Sequence, residues 1–431
     1  GEGTESKLGR VRLQMEKEGA DGHVLASLDD IGWLLNIRGG DIPHVPVVLS
    51  YLYLTKDTCI WYVRGQAVTE KIRKALSAQG VQIRDYDEIY EDLQRLPGGR
   101  KLLLDKKKVN SRLVYGIPQD VQVLDRRNPS EAMKAVKNER ELSNLREAHR
   151  KEGLAFTRLM RRVKTHAGEA GFTERSAAAY LEQQRSGQEH YLENSFAPIC
   201  AYGEHGAIVH YSATEESDRA LEKDGLFLVD AGGHYLEGTT DTTRTFVLGE
   251  VGEEQKRMFT AVCRANLHLA YAKFLYGCSG CQLDVLCREP LWELELDYKH
   301  GTGHGVGYLL NVHEGPNAIR WRLPEGEERP AVLEAGMVTT DEPGIYLEGR
   351  YGIRTENELV CRKSVQNEYG QFMEFEILTM TPIDLDGILP GEMTRQERDW
   401  LNAYHACVYE TLSPYMEEEE RKWLQKYTRK I

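Results

Sequence analysis

Two domains of different construction are predicted, an α/β domain over residues 1–134 and an α+β domain, antiparallel sheet flanked by helices, over residues 135–395. A helical extension, residues 396–431, closes the chain. Three observations lead there. At 431 residues the chain exceeds one ordinary core. Strand and helix patterns alternate over the first 134 residues or so. Beyond them, long helical stretches mix with strands rich in Gly and Thr.

In the first domain, residues 8–18 read as a helix and residues 24–28 as a short apolar strand. Residues 45–55 and 59–64 are β-rich runs, and Lys56-Asp57-Thr58 between them is a hairpin signal. Residues 67–78 read as a helix and residues 101–105 as a strand. Trp33, Arg38 and Asp41 sit by a Gly39-Gly40 turn. They invite two readings, residues that reach a neighbouring active site or a packed aromatic beside a surface ion pair; taken alone they favour the second. A polar segment, residues 126–131, leads into a charged helix predicted over 130–163, with Leu142, Leu145, Leu154, Phe156 and Leu159 at helical spacing. Further helices are predicted over 174–186, 253–274 and 282–292. The tail, residues 394–431, is amphipathic, and its charge run at 417–421 reads as a solvated helix face.

The formal net charge is −13, from 68 acidic and 55 basic residues, which lacks the basic footprint of a nucleic-acid binder. With 41% hydrophobic residues the chain can build buried cores. No run of eighteen apolar residues is present, so no membrane span is predicted. Residues 1–10 are polar and carry no apolar core of a secretory signal. The eight cysteines are scattered, unlike a disulfide framework. Cys278-Ser279-Gly280-Cys281 has CxxC spacing without a second pair at zinc-finger spacing, and reads as an incidental pair at a helix end. A reducing cytoplasm is the expected compartment.

The chemistry-bearing residues lie in the second domain. Leu226-Phe227-Leu228-Val229-Asp230 is an apolar strand ending in a carboxylate, and Asp241 heads the β-branched run Asp241-Thr242-Thr243-Arg244-Thr245-Phe246. Gly232-Gly233 and Glu237-Gly238-Thr239-Thr240 lie between, so two strands joined by a turn are expected, with the two aspartates facing each other. Buried carboxylates at close quarters repel unless a cation or proton stands between them. His300-Gly301-Thr302-Gly303-His304-Gly305-Val306-Gly307 is glycine-rich, which lets backbone approach a ligand. It lacks the Lys and Ser/Thr of a phosphate loop, and its glycines would break a zincin helix. Thr340-Asp341-Glu342-Pro343-Gly344 sets a glutamate before a turn, and Gly352-Ile353-Arg354-Thr355-Glu356-Asn357 sets another beside an arginine. Singly, each acid reads as a surface or ion-paired residue. Together, two Asp, one His and two Glu suit hard or borderline divalent ions such as Mn²⁺. They are too many for one tetrahedral ion, and bridging carboxylates hold two ions roughly 3.5–4 Å apart.

In order and context, Asp230, Asp241, His304, Glu342 and Glu356 resemble the five metal ligands of the pita-bread metallopeptidases. That family includes aminopeptidase P, prolidase, methionine aminopeptidase and the non-peptidase creatinase. The nearer resemblance is to the cytosolic, multidomain aminopeptidase P group, through Asn194-Ser195-Phe196-Ala197-Pro198-Ile199 and residues 230–245, 300–316 and 334–357. It extends into residues 28–46 and 423–431. The resemblance implies a creatinase N-terminal-like α/β domain ahead of a pita-bread catalytic domain. It implies hydrolysis of the N-terminal Xaa-Pro bond by two divalent ions, expected to be Mn²⁺, with a bridging water or hydroxide as nucleophile. Asp230 would chelate one ion, Asp241 and Glu356 would bridge both, and His304 and Glu342 would complete the shell of the second ion. Glu342 would also act as general base. His210 would contact substrate and stabilise the tetrahedral intermediate, His313 would hold the substrate near the scissile bond, and His300 would line the proline pocket. Arg354 would orient a ligand carboxylate.

The implied partners are peptides with proline at position two, and the implied assembly is a cytoplasmic homodimer. Members of the group usually carry two α/β domains ahead of the catalytic one, and residues 28–46 resemble the second, so the first is expected to be missing. A bond to proline nitrogen has no N–H, and enzymes that depend on that donor fail on it. Two alternatives stay open: an Xaa-Pro dipeptidase (prolidase), and a non-catalytic pita-bread module that binds peptides. Modules of the second kind typically lose metal ligands, and here all five positions are filled.

Overall fold

Residues 1–323 and 330–431 are described by the computed structural model, in which the chain forms two units, Gly1–Lys134 and Ala135–Ile431. The first unit contains α1 (Thr4–Lys17), β1 (Gly22–Leu25), α2 (Leu28–Leu35), β2 (Ser50–Thr55), β3 (Cys59–Val63), α3 (Glu70–Ser77), β4 (Val81–Arg84), α4 (Glu88–Gln94), β5 (Lys101–Leu104), α5 (Ser111–Gly116) and β6 (Gln122–Asp125). Its sheet has the order β4-β3-β2-β1-β5-β6. The middle is antiparallel, β1 with β2 and β2 with β3, and the flanks are parallel. Val24, Tyr62, Leu102 and Leu104 bury one face.

Two sequence expectations shift here. The apolar run at 24–28 ends as a strand at Leu25, and α2 begins at Leu28, closed by Asn36 in a left-handed conformation (φ 53°). The β-rich run at 45–55 pairs only from Ser50 onward. Pro43 and Pro46 have no N–H to give a ladder, so the preceding residues form a loop. Trp33 is buried, with Lys7 Nζ 4.6 Å from its ring centre. Arg38 donates to the carbonyls of Gly32 and Ile37, and Asp41 accepts the Leu49 N–H at 2.8 Å. These residues fasten the 36–49 loop to its own unit.

The helix expected over 130–163 is two helices, α6 (Pro129–Ala135) and α7 (Glu139–His166). Between them Val136 bridges to Met337, and Asn138 caps α7 reciprocally with Glu141. Asn138→Ala is expected to cost about 1 kcal/mol in urea denaturation, because two N–H groups lose their acceptor.

The second unit continues with α8 (Glu174–Ser186), β7 (Tyr191–Asn194), β8 (Ile199–Tyr202), β9 (Leu226–Ala231), β10 (Gly233–Tyr235), β11 (Gly238–Thr239), β12 (Thr242–Val247), α9 (Glu253–Ala270), β13 (Lys273–Leu275) and α10 (Gly280–Trp292). Then come β14 (Gly303–Gly305), β15 (Glu314–Ile319), β16 (Val338–Asp341), β17 (Gly344–Leu347), β18 (Tyr351–Arg354), β19 (Asn357–Asn367), β20 (Gly370–Ile377), α11 (Arg395–Leu412) and α12 (Glu418–Tyr427). The largest sheet, β13-β20-β19-β16-β14-β15, is antiparallel at every step, and β12-β9-β8 forms a second antiparallel sheet. Helices cover both. Phe156, Leu159 and Leu181 of α7 and α8 pack with Phe227 and Val229 of β9. Phe259, Val262, Leu283 and Leu291 of α9 and α10 share a core with Leu359 of β19 and with Leu401, Val408 and Leu424 of the last helices. Among the described residues no helix is long and apolar enough to cross a membrane.

Candidate metal centre

The centre forms where the ends of five short strands meet. Asp230, on β9, lies opposite Thr243 of β12, and Asp241 comes just before β12, two residues from Thr243. The two aspartates are therefore diagonal neighbours on one face rather than directly opposed. The expected simple turn between their strands is instead the hairpin β10–β11, with β10 also pairing to β7.

His304 occupies the middle of β14. Its flanking glycines serve close strand packing, not ligand approach: a Cβ on Gly303 would stand 1.8 Å from Thr340 O, and one on Gly305 2.3 Å from Glu314 O. Glu342 follows β16, and its N–H donates to Thr302 O at 2.8 Å. Glu356 immediately precedes β19, and its N–H donates to Thr243 O at 3.0 Å. The Thr243 hydroxyl donates to Glu356 Oε2 at 2.7 Å.

These placements bring one ligand atom each of Asp241, His304 and Glu356 within 4.8 Å of one another. His304 Nε2 stands 3.5 Å from Asp241 Oδ2 and 3.5 Å from Glu342 Oε1. Asp230 Oδ2 accepts from Arg354 Nη2 at 2.6 Å, while its Oδ1 is buried without a partner. Arg354 is buried and also donates to the Thr243 hydroxyl at 3.2 Å.

The electrostatics follow from crowding. Burial, then the charges of Asp230, Glu342 and Glu358, push Asp241 well above the usual carboxylate range. Burial, then Asp241, Glu342 and Asp230, do the same to Glu356. Glu342 is raised by burial and by Asp230, against the opposing pull of His304 and Arg354. Acids whose protonated form is favoured by burial first and by one another's charge second can exchange those protons for a cation.

The donors fit such a cation. His304 Nδ1 lies 2.9 Å from Gly305 O. A carbonyl only accepts, so Nδ1 carries the proton and Nε2 turns its lone pair toward the acids. With the unpartnered Oδ1 of Asp230, the set is rich in oxygen with one imidazole, the chemistry of hard and borderline divalent ions. Among the described residues it is the only grouping of three or more His, Cys, Asp or Glu close enough to hold a metal ion.

The three remaining histidines ring this cluster at different distances. His300 donates from Nδ1 to Gly301 O at 2.7 Å and accepts at Nε2 from the Tyr346 hydroxyl at 2.9 Å. Tyr346 in turn accepts from Arg354 Nη1 at 2.9 Å. Burial holds His300 down at about 4, so it is neutral at physiological pH. The His313 ring centre is 4.3 Å from that of His304; desolvation, then His304, lower its pKa although its ring is open to solvent. His210 is exposed, and its charge is felt at both His300 and His313.

The sequence reasoning passed over several supporting side chains. Glu358 Oε1 accepts the Asp241 N–H at 2.7 Å, and its Oε2 lies 3.2 Å from His149 Nε2 on α7, both side chains fully buried. The signal was available: Glu356 and Glu358 are two apart in a strand and share a face. Tyr346 and Thr243, which fix Arg354 and Glu356, carried no such signal. Cys287 donates to Asp341 Oδ1 at 3.4 Å on the other side of β16. Cys278 and Cys281 are free thiols beside Ser279, the N-cap of α10, so the pair stands at the start of that helix.

Comparison with known proteins agrees with this construction. The profile of metallopeptidase family M24 matches residues 143–363, that of the creatinase/prolidase N-terminal domain residues 1–141, and that of the C-terminal region of M24 peptidases residues 371–431. Aminopeptidase P1 of Arabidopsis thaliana is 33% identical over 480 residues, covering 100% of this chain and 74% of its own. A probable Xaa-Pro aminopeptidase P of Sclerotinia sclerotiorum is 36% identical over 442 residues, covering 99% of this chain and 73% of its own. The crystal structure of X-prolyl aminopeptidase from Caenorhabditis elegans, described as a cytosolic enzyme with a di-nuclear active site, superposes with a TM-score of 0.93 at 32% identity. It covers 100% of this chain and 71% of its own. With its pita-bread fold, its clustered donors and these full-length matches, the chain belongs to metallopeptidase family M24.

Proposed function

We propose that the protein removes the N-terminal residue from peptides whose second residue is proline, using two divalent cations, Mn²⁺ by the donor chemistry. Asp230, Asp241, His304, Glu342 and Glu356 would hold them. The observation that carries the proposal is the convergence of Asp241, His304 and Glu356 within 4.8 Å, with Glu342 3.5 Å from the same histidine. When bound, such cations polarise the scissile carbonyl and lower the pKa of attacking water.

The chain's own residues do the rest. Glu342 is partly exposed and its pKa is raised, which suits a carboxylate that takes a proton during attack and returns it to the leaving proline nitrogen. The Arg354–Tyr346–His300 relay fixes the tautomer of His300 by hydrogen bonds, leaving an uncharged ring to line the proline pocket. His210 and His313, both exposed, would contact the substrate and the developing tetrahedral centre. A cytoplasmic homodimer completes the proposal by resemblance to the group, and sedimentation of the purified protein tests the assembly.

Dialysis against a chelator is expected to abolish cleavage of an Xaa-Pro-Pro tripeptide, and added Mn²⁺ to restore it. Cleavage of dipeptides alone would replace the proposal with the dipeptidase reading. Cleavage that survives chelation would remove the metal mechanism, and the loss of all peptidase activity with retained peptide binding would leave the non-catalytic module.

A further inference from the structure

His210 sits in the segment between β8 and β9, where little regular structure holds it. One buried side chain gathers that segment. Glu174, the first residue of α8, is fully buried. Its Oε1 accepts from the Tyr202 N–H at 2.7 Å and from His205 Nδ1 at 2.8 Å. Its Oε2 accepts from the Tyr211 hydroxyl at 2.9 Å and from the Arg219 N–H at 3.2 Å. A carboxylate offers about four acceptor sites, and all are taken. The four donors come from both ends of residues 202–219 and from either side of His210. The Glu174 N–H also donates back to Arg219 O at 3.0 Å.

Two further contacts carry the segment to the metal centre. The His205 and Tyr211 rings stack, with centres 4.4 Å apart, so the two residues held by Glu174 also hold each other. Gly206 presses its backbone against β18: a Cβ on Gly352 would fall 1.6 Å from Gly206 O. Strand β18 ends in Arg354, whose Nη2 also reaches Val209 O at 3.5 Å. The residue before His210 is thereby tied to the arginine that grips Asp230.

We propose that Glu174 is a positioning residue for the reaction, a buried clasp whose four hydrogen bonds set the place of His210 beside the metal centre. The inference rests on the proposed function, in which His210 meets the substrate. Its partners all lie in residues 202–219, so weakening the clasp acts first on that segment. A glutamine in its place keeps the shape but supplies one acceptor oxygen. Whichever way its amide turns, an NH₂ faces a backbone N–H, of Tyr202 or of Arg219, which cannot reverse its polarity.

The test compares Glu174→Gln, Tyr211→Phe, His210→Ala and the Glu174→Gln/His210→Ala double variant in the full, Mn²⁺-loaded chain. Glu174→Gln is expected to lower kcat on an Xaa-Pro-Pro tripeptide by about 10–100-fold with KM and bound metal little changed, the size of a misplaced catalytic group. Tyr211→Phe is expected to act in the same direction, a few-fold. The double variant should be no more than about two-fold below His210→Ala alone, because the clasp acts through that residue. Independent of activity, and with diamagnetic Zn²⁺ in place of Mn²⁺, whose unpaired electrons would erase nearby signals, the imidazole NMR signals of His210, identified by their loss in His210→Asn, should shift or broaden in both clasp variants, while those of His23 in the first unit stay fixed. Effects that multiply in the double variant, or unchanged His210 signals, would overturn the clasp. Wild-type turnover in His210→Ala would instead remove the proposed role of His210, and the NMR signals would still decide the clasp. Should Glu174→Gln fail to fold, Tyr211→Phe decides by the same two readouts.

Discussion

Asp241→Ala is expected to lower cleavage of Xaa-Pro peptides by roughly 10³-fold or more and to strip the protein of bound metal. Asp241 is the densest point of the site. Its Oδ2 faces His304 Nε2 at 3.5 Å, its N–H is held by Glu358, and it stands diagonal to Asp230 across β9 and β12. By resemblance it would help to hold both cations, so its removal would cost both of them a ligand. Glu342→Gln gives a contrasting result. The amide keeps an oxygen for coordination but cannot accept a proton, so turnover should fall to a similar degree while more metal is retained. Metal content by elemental analysis and steady-state rates on a tripeptide separate the two. The losses in a double variant should fall far short of additive, since either change alone disables one shared centre. Near-normal turnover in either single variant would end the assignment of these residues.

How much of this was legible in the sequence depends on what each feature needs. The five candidate ligands are legible as a set, each in a local context of its own: an apolar strand before Asp230, a β-branched run after Asp241, glycines about His304, a Pro-Gly turn after Glu342, an arginine before Glu356. Helix 174–186 matches the structure at both ends; Thr173 caps it, so local chemistry decides where it starts. The reading of residues 130–163 as one helix failed where long-range pairing intervened. Val136 is drawn into a bridge with Met337, two hundred residues away in the chain, and periodicity holds no trace of that. Residues 253–274 likewise read as one helix, yet the last of them leave it for β13 and pair with β20. Tyr346 and Glu174 stayed hidden for a related reason. Their roles lie in hydrogen bonds to residues 46 and 28 to 45 positions away, and only the fold supplies those partners.

The stability of the metal-free protein is expected to fall as pH rises, and bound Mn²⁺ to remove that slope. Asp241 and Glu356 are pushed well above their ordinary values of 3.8 and 4.5, by burial first and by the neighbouring acids second. A carboxyl group raised in the folded state keeps its proton there after the unfolded chain has released its own. The folded state then binds more protons, and the stability it gains is fully present below the unfolded value and lost as pH climbs through the folded one. Each proton so retained lowers stability by about 1.4 kcal/mol per pH unit across that window, which opens near the unfolded values of 3.8 and 4.5 and closes at the folded ones. A cation replaces those protons and depresses the same groups, so the stability of the loaded protein is fully present above the unfolded values and is lost on acidification. Thermal unfolding of the protein between pH 5 and 7, once with chelator and once with excess Mn²⁺, reads both slopes. The two sets of midpoints should diverge as pH rises, the chelated falling and the loaded holding level. Parallel curves would mean that these acids do not share their charge with a metal, and the chemical reason for gathering four carboxylates around one histidine would be gone.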